Sequence, residues 1–383
     1  MKIVIAPDSF KESMSAAFTA DAIEKGIRNV DRNIDVIKMP LADGGEGTVE
    51  ALVNSMNGKL ITHTVTGPLG DKVKAFYGII GKKTAVIEIA AAAGLDLIPV
   101  EKRDPMKTTT YGVGELILHA LDQGIRHFLI GLGGSATNDG GIGMVQALGV
   151  RIIDKNGDSV CFGGEGLANV DQISVTKMDK RVKECTFEIA CDVKNPLTGS
   201  EGASFIFGSQ KGAAPNMVES LDQAMKKYEL LLKRDLHVDV SSIEGAGAAG
   251  GLGAAFIAFL GAKLQRGIDL ITEITNIESH IKEADLVITG EGKIDDQTIY
   301  GKTPVGVAKI AKKHGVPVIA ITGANQVTTS EIYEAGIDAI FSIVNAPMTL
   351  EESIKESAGL TEKASENIIR LIKQMGMQEW SKK

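Results

Sequence analysis

Lys2-Ile3-Val4-Ile5-Ala6-Pro7-Asp8-Ser9-Phe10-Lys11 begins as a β-branched apolar run and turns, within a few residues, into a polar loop. An unbroken run of this kind predicts a strand in the middle of a sheet. Helical spacing follows over roughly 15–29. The pattern then recurs: Asp35 to Met39 reads as a second strand, Leu41-Ala42-Asp43-Gly44-Gly45-Glu46-Gly47 as its exit loop, and Thr48 to Met56 as a helix. Near the other end, Leu286 to Thr289, Val316 to Thr322 and Ala339 to Val344 are short apolar runs separated by helical stretches, one with Pro304 suited to a first turn.

Alternation of this sort predicts an α/β fold with a doubly wound parallel sheet, flavodoxin- or Rossmann-like, contributed by both chain ends. The middle differs. Val73 to Ile80 and Thr84 to Ala90 flank Gly81-Lys82-Lys83 as a hairpin, and Asn156-Gly157 marks another turn. Val113, Leu116, Ile117, Ala120 and Leu121 share a helical face behind Thr108-Thr109-Thr110, which can cap it. The expected architecture is one doubly wound domain, 1–60 and 281–383, carrying an inserted mixed α/β domain, 61–280, with the active site in the cleft between them.

Composition narrows the function. The chain has 383 residues, 44% hydrophobic and 23% charged, which is ordinary for globular proteins and excludes end-to-end disorder. Glycine stands out at 44 residues, clustered rather than periodic, so sites built from backbone are suggested. With 41 basic against 49 acidic side chains the net charge is −8, and no basic stripe exists, so nucleic acid is not an expected partner. Cys161, Cys185 and Cys191 form an odd set without a CxxC, which argues against a zinc site or a disulfide framework and for a reducing cytoplasm. The opening apolar run is too short for a signal peptide. Gly245 to Ala262 lacks polar side chains, but it is mostly glycine and alanine and reads as a loop plus a buried helix, so no membrane is expected.

Five segments pair glycines with acids or lysines. Asp8, Ser9 and Lys11 leave the first strand at its carboxyl end, where open α/β sheets hold ligands. Asp43-Gly44-Gly45-Glu46-Gly47 leaves the second, with two carboxylates three residues apart. Gly131-Leu132-Gly133-Gly134-Ser135-Ala136-Thr137-Asn138-Asp139-Gly140-Gly141 follows an apolar run and can point successive amides at an oxygen-rich ligand. Glu244 to Gly253 again feeds glycine into a helix, and Gly290-Glu291-Gly292-Lys293-Ile294-Asp295 is trailed by Gly301-Lys302-Thr303. A glycine after a strand is most often only a tight turn, and acids at such positions often only cap helices. Five loops of one composition weigh against that plain reading. Amides and lysines suit phosphate oxygens, and carboxylates suit Mg²⁺, so phosphoryl transfer is the chemistry outlined.

Two familiar patterns compete. Gly245-Ala246-Gly247-Ala248-Ala249-Gly250 fits GxGxxG, with Asp269 about twenty residues on, which would make the chain a nucleotide-dependent oxidoreductase; however, Leu236 to Ser242 is a poor buried strand to precede it. Gly301-Lys302-Thr303 imitates the end of a P-loop whose first glycine is missing. A non-catalytic sensor of nucleotide or organic acid is the other alternative, and the many acids beside glycine loops count against it.

At APDSFKESMSA, ADGGEGT, GLGGSATNDGGIGMVQALG, GAGAAGGLGAA and ITGEGKIDDQTIYGKTP the chain resembles the bacterial type I glycerate kinases. The resemblance implies a two-domain α/β kinase that moves the γ-phosphoryl group of ATP to D-glycerate with Mg²⁺, 2-phosphoglycerate being favoured as product over 3-phosphoglycerate. On that reading Asp43 and Glu46, with Asp8 nearby, hold Mg²⁺ or the substrate hydroxyls. Gly133, Gly134, Ser135 and Thr137 cradle phosphate, and Asn138 and Asp139 orient substrate or metal. Lys11 and Lys302 neutralise the transferring group, and Asp192, after the strand Thr186 to Cys191, is the base. Ser9, Gly44, Gly45, Gly290 and Glu291 complete the binding residues. The expected partners are small molecules, and a homo-oligomer is compatible with the sequence.

Overall fold

The β-branched runs at the chain ends do close into a parallel sheet. The structure is a computed structural model that describes residues 1–376. Its strands, in chain order, are β1 (Lys2–Pro7), β2 (Asp35–Lys38), β3 (Lys59–Thr66), β4 (Lys72–Ile80), β5 (Thr84–Glu88), β6 (His127–Gly131) and β7 (Arg151–Ile153). There follow β8 (Gln172–Ser174), β9 (Thr186–Ala190), β10 (Lys263–Gln265), β11 (Leu286–Asp295), β12 (Val318–Gln326) and β13 (Ala339–Ser342). Two compact units divide the chain: Met1–Asp43 with Glu50–Gly58 and the chain from Ile268 onward form the first, Gly44–Val49 with Lys59–Gly267 the second.

The first unit carries a five-stranded sheet in the order β2-β1-β11-β12-β13, parallel throughout. Because the chain leaves β1 for β2 on one side and the later strands add on the other, the order reverses between β1 and β11, and ligands of such sheets gather at that point, outside the carboxyl ends. Helices Ala16–Val30 and Leu350–Gln374 pack against each other and bury Ile23, Ile27, Ile368 and Ile369 with Ile3, Ile5, Ile288 and Ile321 of the sheet. Their starts are fixed locally: Ser15 accepts from Phe18 N, and Thr349 with Glu352 forms a capping box. Helix Thr303–Lys313 has Pro304 in its first turn and packs on β1, β11 and β12.

One strand exceeds its expected length. Pairing of β11 with β12 continues past Thr289 through Asp295↔Gln326, so Gly290-Glu291-Gly292, expected as a loop, is ladder instead. Backbone hydrogen bonding in a parallel pair is indifferent to side-chain polarity, and hydrophobicity alone therefore ends the strand too early.

The second unit holds a six-stranded sheet, β10-β9-β6-β5-β4-β3, in which β10, β9, β6 and β5 run parallel and the hairpins β5–β4 and β4–β3 form one side. Phe128 and Phe187, opposite each other on β6 and β9, stack with centroids 4.8 Å apart in the core. Gly245–Ala262 resolves into a loop and helix Ala248–Leu260, which is buried and kinked at its start by left-handed backbone at Ala249, Gly250 and Gly251. Among the described residues no helix is long and apolar enough to cross a membrane.

Candidate active site

In the first unit, the carboxyl ends of β1 and β11 bring acids together. Asp8 N donates to Gly290 O at 2.8 Å, which continues the β1–β11 ladder by one residue and sets Asp8 beside Glu291. Leu41 N donates to Pro7 O at 3.0 Å, drawing the exit of β2 along the other side of β1 and delivering Asp43 to the same place. Asp8 Oδ1 accepts from Ser9 N at 2.6 Å and Oδ2 from the Thr303 hydroxyl at 2.5 Å. Burial, and then the charge of Asp43, push the Asp8 carboxyl up to about 7, against the opposing pull of these two donors. Glu291 accepts from Thr298 Oγ1 at 2.9 Å and pairs with Lys302 Nζ at 3.4 Å; burial raises its pKa although Lys302 opposes the shift. Lys11 is exposed on the short loop pinned by the Phe10–Met14 bridge, with its backbone against Gly292. Seven of the residues expected from the sequence, Asp8, Ser9, Lys11, Asp43, Gly290, Glu291 and Lys302, thus belong to this one unit.

In the second unit the carboxyl ends of β5, β6 and β9 do the gathering. Segment Gly44–Val49 lies across them: a Cβ on Gly131 would come within 2.3 Å of Gly44 O, and one on Gly44 within 2.4 Å of Ala190 Cβ. Val49 N donates to the buried Glu88 carboxylate at 2.7 Å, which anchors the segment at a helix start. Asp192, just past β9, is exposed and accepts from Gly267 N at 3.0 Å. Glu46 is exposed, and so are Gly133 and Gly134. Among the described residues the N–H groups of Gly133, Gly134 and Ser135 donate to no protein acceptor, while Gly134 O is tied to Leu95 N at 2.9 Å. Consecutive unpaired amides at an exposed glycine turn are an anion cradle.

Beyond that turn the loop goes inward, and here several expectations change. Ser135 and Thr137 are buried, and their hydroxyls lie 3.1 Å from each other, with Ser135 Oγ also accepting from Lys211 Nζ at 3.2 Å. These hydroxyls are engaged within the loop itself. Asn138 Nδ2 donates to Ser204 Oγ at 2.9 Å, inside the unit. Asp139 is not offered to a metal: it is fully buried, and its oxygens accept from Thr110 N, Thr110 Oγ1, Gly141 N and Gly143 N at 2.9 to 3.3 Å. Burial raises its pKa, and these four donors hold it down. Of the Thr108–Thr110 triplet, expected as a helix cap, only Thr109 serves helix Tyr111–Asp122, its Oγ1 accepting from Tyr111 N at 3.1 Å, while Thr110 at the N-cap position makes no side-chain cap. Thr108 Oγ1 instead donates to Ala136 O at 2.9 Å and Thr110 to Asp139, because a buried loop must have its polar groups satisfied from within.

The GxGxxG run is likewise explained by packing. No strand precedes it. Gly140 N donates to Gly250 O at 3.0 Å, and a Cβ on Gly250 would lie 2.0 Å from Thr137 O. Its glycines let one backbone approach another and do not receive a dinucleotide.

Among the described residues no three His, Cys, Asp or Glu side chains are grouped as a ready-made metal cage. Asp8 and Asp43 nevertheless fit Mg²⁺, which is usually held by one or two carboxylates and otherwise by nucleotide phosphates and water. Their mutual repulsion is what a cation would relieve.

Comparison with known proteins gives the family. The sequence profile described as the glycerate kinase family matches residues 3–373. A protein of Escherichia coli K12 named glycerate 2-kinase is 52% identical over 369 residues, covering 96% of this chain and 97% of that protein. One of Bacillus subtilis 168 named glycerate kinase is 51% identical, with 97% and 98% covered. A crystal structure from Salmonella typhimurium LT2, of a protein with the provisional name glycerate kinase 2, superposes with a TM-score of 0.90 at 53% identity over 99% of both chains. A profile that spans nearly every described residue, relatives matched almost end to end and a shared fold lead to one assignment: the chain belongs to the glycerate kinase family.

Proposed function

We infer that this chain is a glycerate kinase that uses ATP and Mg²⁺ to phosphorylate D-glycerate, at the 2-hydroxyl in preference to the 3-hydroxyl. Two observations, one within each unit, carry the reading: opposed carboxylates Asp8 and Asp43 at the sheet edge of the first, and amides with no protein acceptor at Gly133–Ser135 in the second. The E. coli relative's name supports the 2-hydroxyl. Three free cysteines suit a cytoplasmic enzyme.

In the reaction the glycerate hydroxyl oxygen forms a bond to Pγ, the bond from Pγ to the β,γ-bridging oxygen breaks, ADP leaves and the hydroxyl proton goes to a carboxylate. Mg²⁺, when bound, supplies charge neutralisation on the phosphate oxygens. In the first unit Asp8 and Asp43 would hold it, and Lys11 and Lys302 would offset negative charge there; in the second Gly133 and Gly134 would receive an oxyanion. Asp192 takes the proton. Asp192→Asn retains an acceptor for Gly267 N, so the fold should persist while kcat falls at least about a hundredfold. A near-normal kcat would pass the role to another acid.

A coupled ADP-release assay over a panel of small hydroxy acids tests the whole reading. Rapid turnover with D-glycerate and slow release without it are expected, with phosphorus NMR showing the 2-phosphate. ATP hydrolysis as fast without glycerate as with it would sink the reading.

A further inference from the structure

Lys211 closes the short 3₁₀ turn Ser209–Lys211, and nothing about its setting in Gly208-Ser209-Gln210-Lys211-Gly212 distinguishes it from a surface lysine. The structure puts it elsewhere. Its side chain is sealed inside the second unit, with the residue 2% exposed, and Nζ donates to Thr137 O at 2.6 Å and Ser135 Oγ at 3.2 Å. No carboxylate pairs with it directly among the described residues; Asp139 acts on it only through its field. Burying an ammonium on a hydroxyl and a carbonyl alone is costly, and a neutral side chain could meet those two acceptors more cheaply. The charge does have a use where it lies. Ser135 and Thr137 directly follow the exposed Gly133–Gly134 turn, whose amides have no protein acceptor.

We propose that Lys211 is a positioning residue: from inside the unit it clamps Ser135 and Thr137, so that the amides of Gly133 and Gly134 face an incoming oxyanion, with the Lys211 amino group behind them. This rests on the glycerate kinase reading for the identity of that oxyanion, which is either the phosphate tail of the nucleotide or the carboxylate of glycerate. Lys211 acts through Ser135 and does not touch the ligand. The other titratable groups around the clamp are Asp139, Tyr228, whose buried hydroxyl feels Asp139, and Arg103, whose carbonyl backs Gly212. Burial lowers the Lys211 ammonium to about 7.

The test compares the full-length wild type with Lys211→Met, which keeps length and loses charge. Tripolyphosphate and D-glycerate are titrated separately by isothermal calorimetry, which needs no turnover, after circular dichroism has shown that the variant is folded. A tenfold or greater loss of affinity for one of the two, with the other unchanged, is expected, and the one lost identifies the oxyanion. Equal affinities for both in the two proteins would overturn the proposal. If Lys211→Met does not fold, the wild type is titrated between pH 6 and 8.5: affinity for one ligand should drop as the ammonium deprotonates through about 7, and flat profiles would overturn the proposal. A wild type without glycerate kinase activity whose variant still loses tripolyphosphate affinity would remove the kinase reading and leave the clamp standing.

Discussion

Asp8→Asn should abolish most turnover and, in the metal-free protein, raise stability. The Asp8 carboxyl is pushed up to about 7 by burial and by Asp43, so the folded protein holds its proton more tightly than the unfolded chain, where the group titrates in the usual carboxylate range. The sign follows. Between about pH 4 and 7 the native state binds more protons than the unfolded state, so stability contributed at low pH is lost as pH rises through 7. Asparagine removes the charge and keeps the shape: its carbonyl still accepts from Ser9 N, and the Thr303 hydroxyl can turn to accept from the new amide. Melting in EDTA should therefore show a gain of about 2–5 °C for Asp8→Asn at pH 8 and little at pH 4.5. With Mg²⁺ and both substrates, kcat should fall by about 10²–10³, the scale of losing one preorganised electrostatic group. A variant less stable at pH 8, or one within threefold of wild-type kcat, would show that Asp8 is an ordinary strand-end acid. A group that costs stability and is still kept marks a functional site more reliably than its exposure does.

That inference needs the structure, whereas much of the fold does not. The β-branched runs at Lys2–Pro7 and Leu286–Thr289 announce buried parallel strands through composition alone, and the Gly81-Lys82-Lys83 hairpin is where its turn chemistry puts it. Five glycine segments are also plain in the sequence. What each glycine is for is not, since an exposed amide cradle at Gly133–Gly134 and a backbone-to-backbone contact at Gly250 require the same residue. Polar residues mislead in a similar way. Thr108, Thr110 and Asp139 look like a cap and a ligand, but they satisfy a buried loop, because hydrogen-bond partners 28 and 29 residues apart leave no local pattern. Lys211 is invisible for the same reason: it reaches a loop more than seventy residues earlier, and no spacing rule connects the two.

Gly250→Ala should be among the most damaging small substitutions in the second unit, and a matched glycine separates its two causes. Gly250 has φ +68°, and a Cβ there would sit 2.0 Å from Thr137 O and 2.7 Å from Asn138 Cα. Gly261, just past Leu260, has φ +62° and nothing within 4 Å of its would-be Cβ. Both alanines meet the left-handed backbone penalty, about 1 kcal/mol. Only the first also drives a methyl group into main chain, which cannot rotate away, so roughly 3–5 kcal/mol is expected there. Thermal melts should show Gly261→Ala down by a few degrees and Gly250→Ala down by about 10 °C or not accumulating as folded protein. The functional readout runs parallel. Because Gly250 backs Thr137 and Asn138, any folded Gly250→Ala should lose oxyanion affinity at Gly133–Gly134, whereas Gly261→Ala should bind like wild type. Equal losses of stability in the two variants would mean that the left-handed conformation alone sets the cost. In that case the close approach of the two glycine segments is not what holds the cradle in shape.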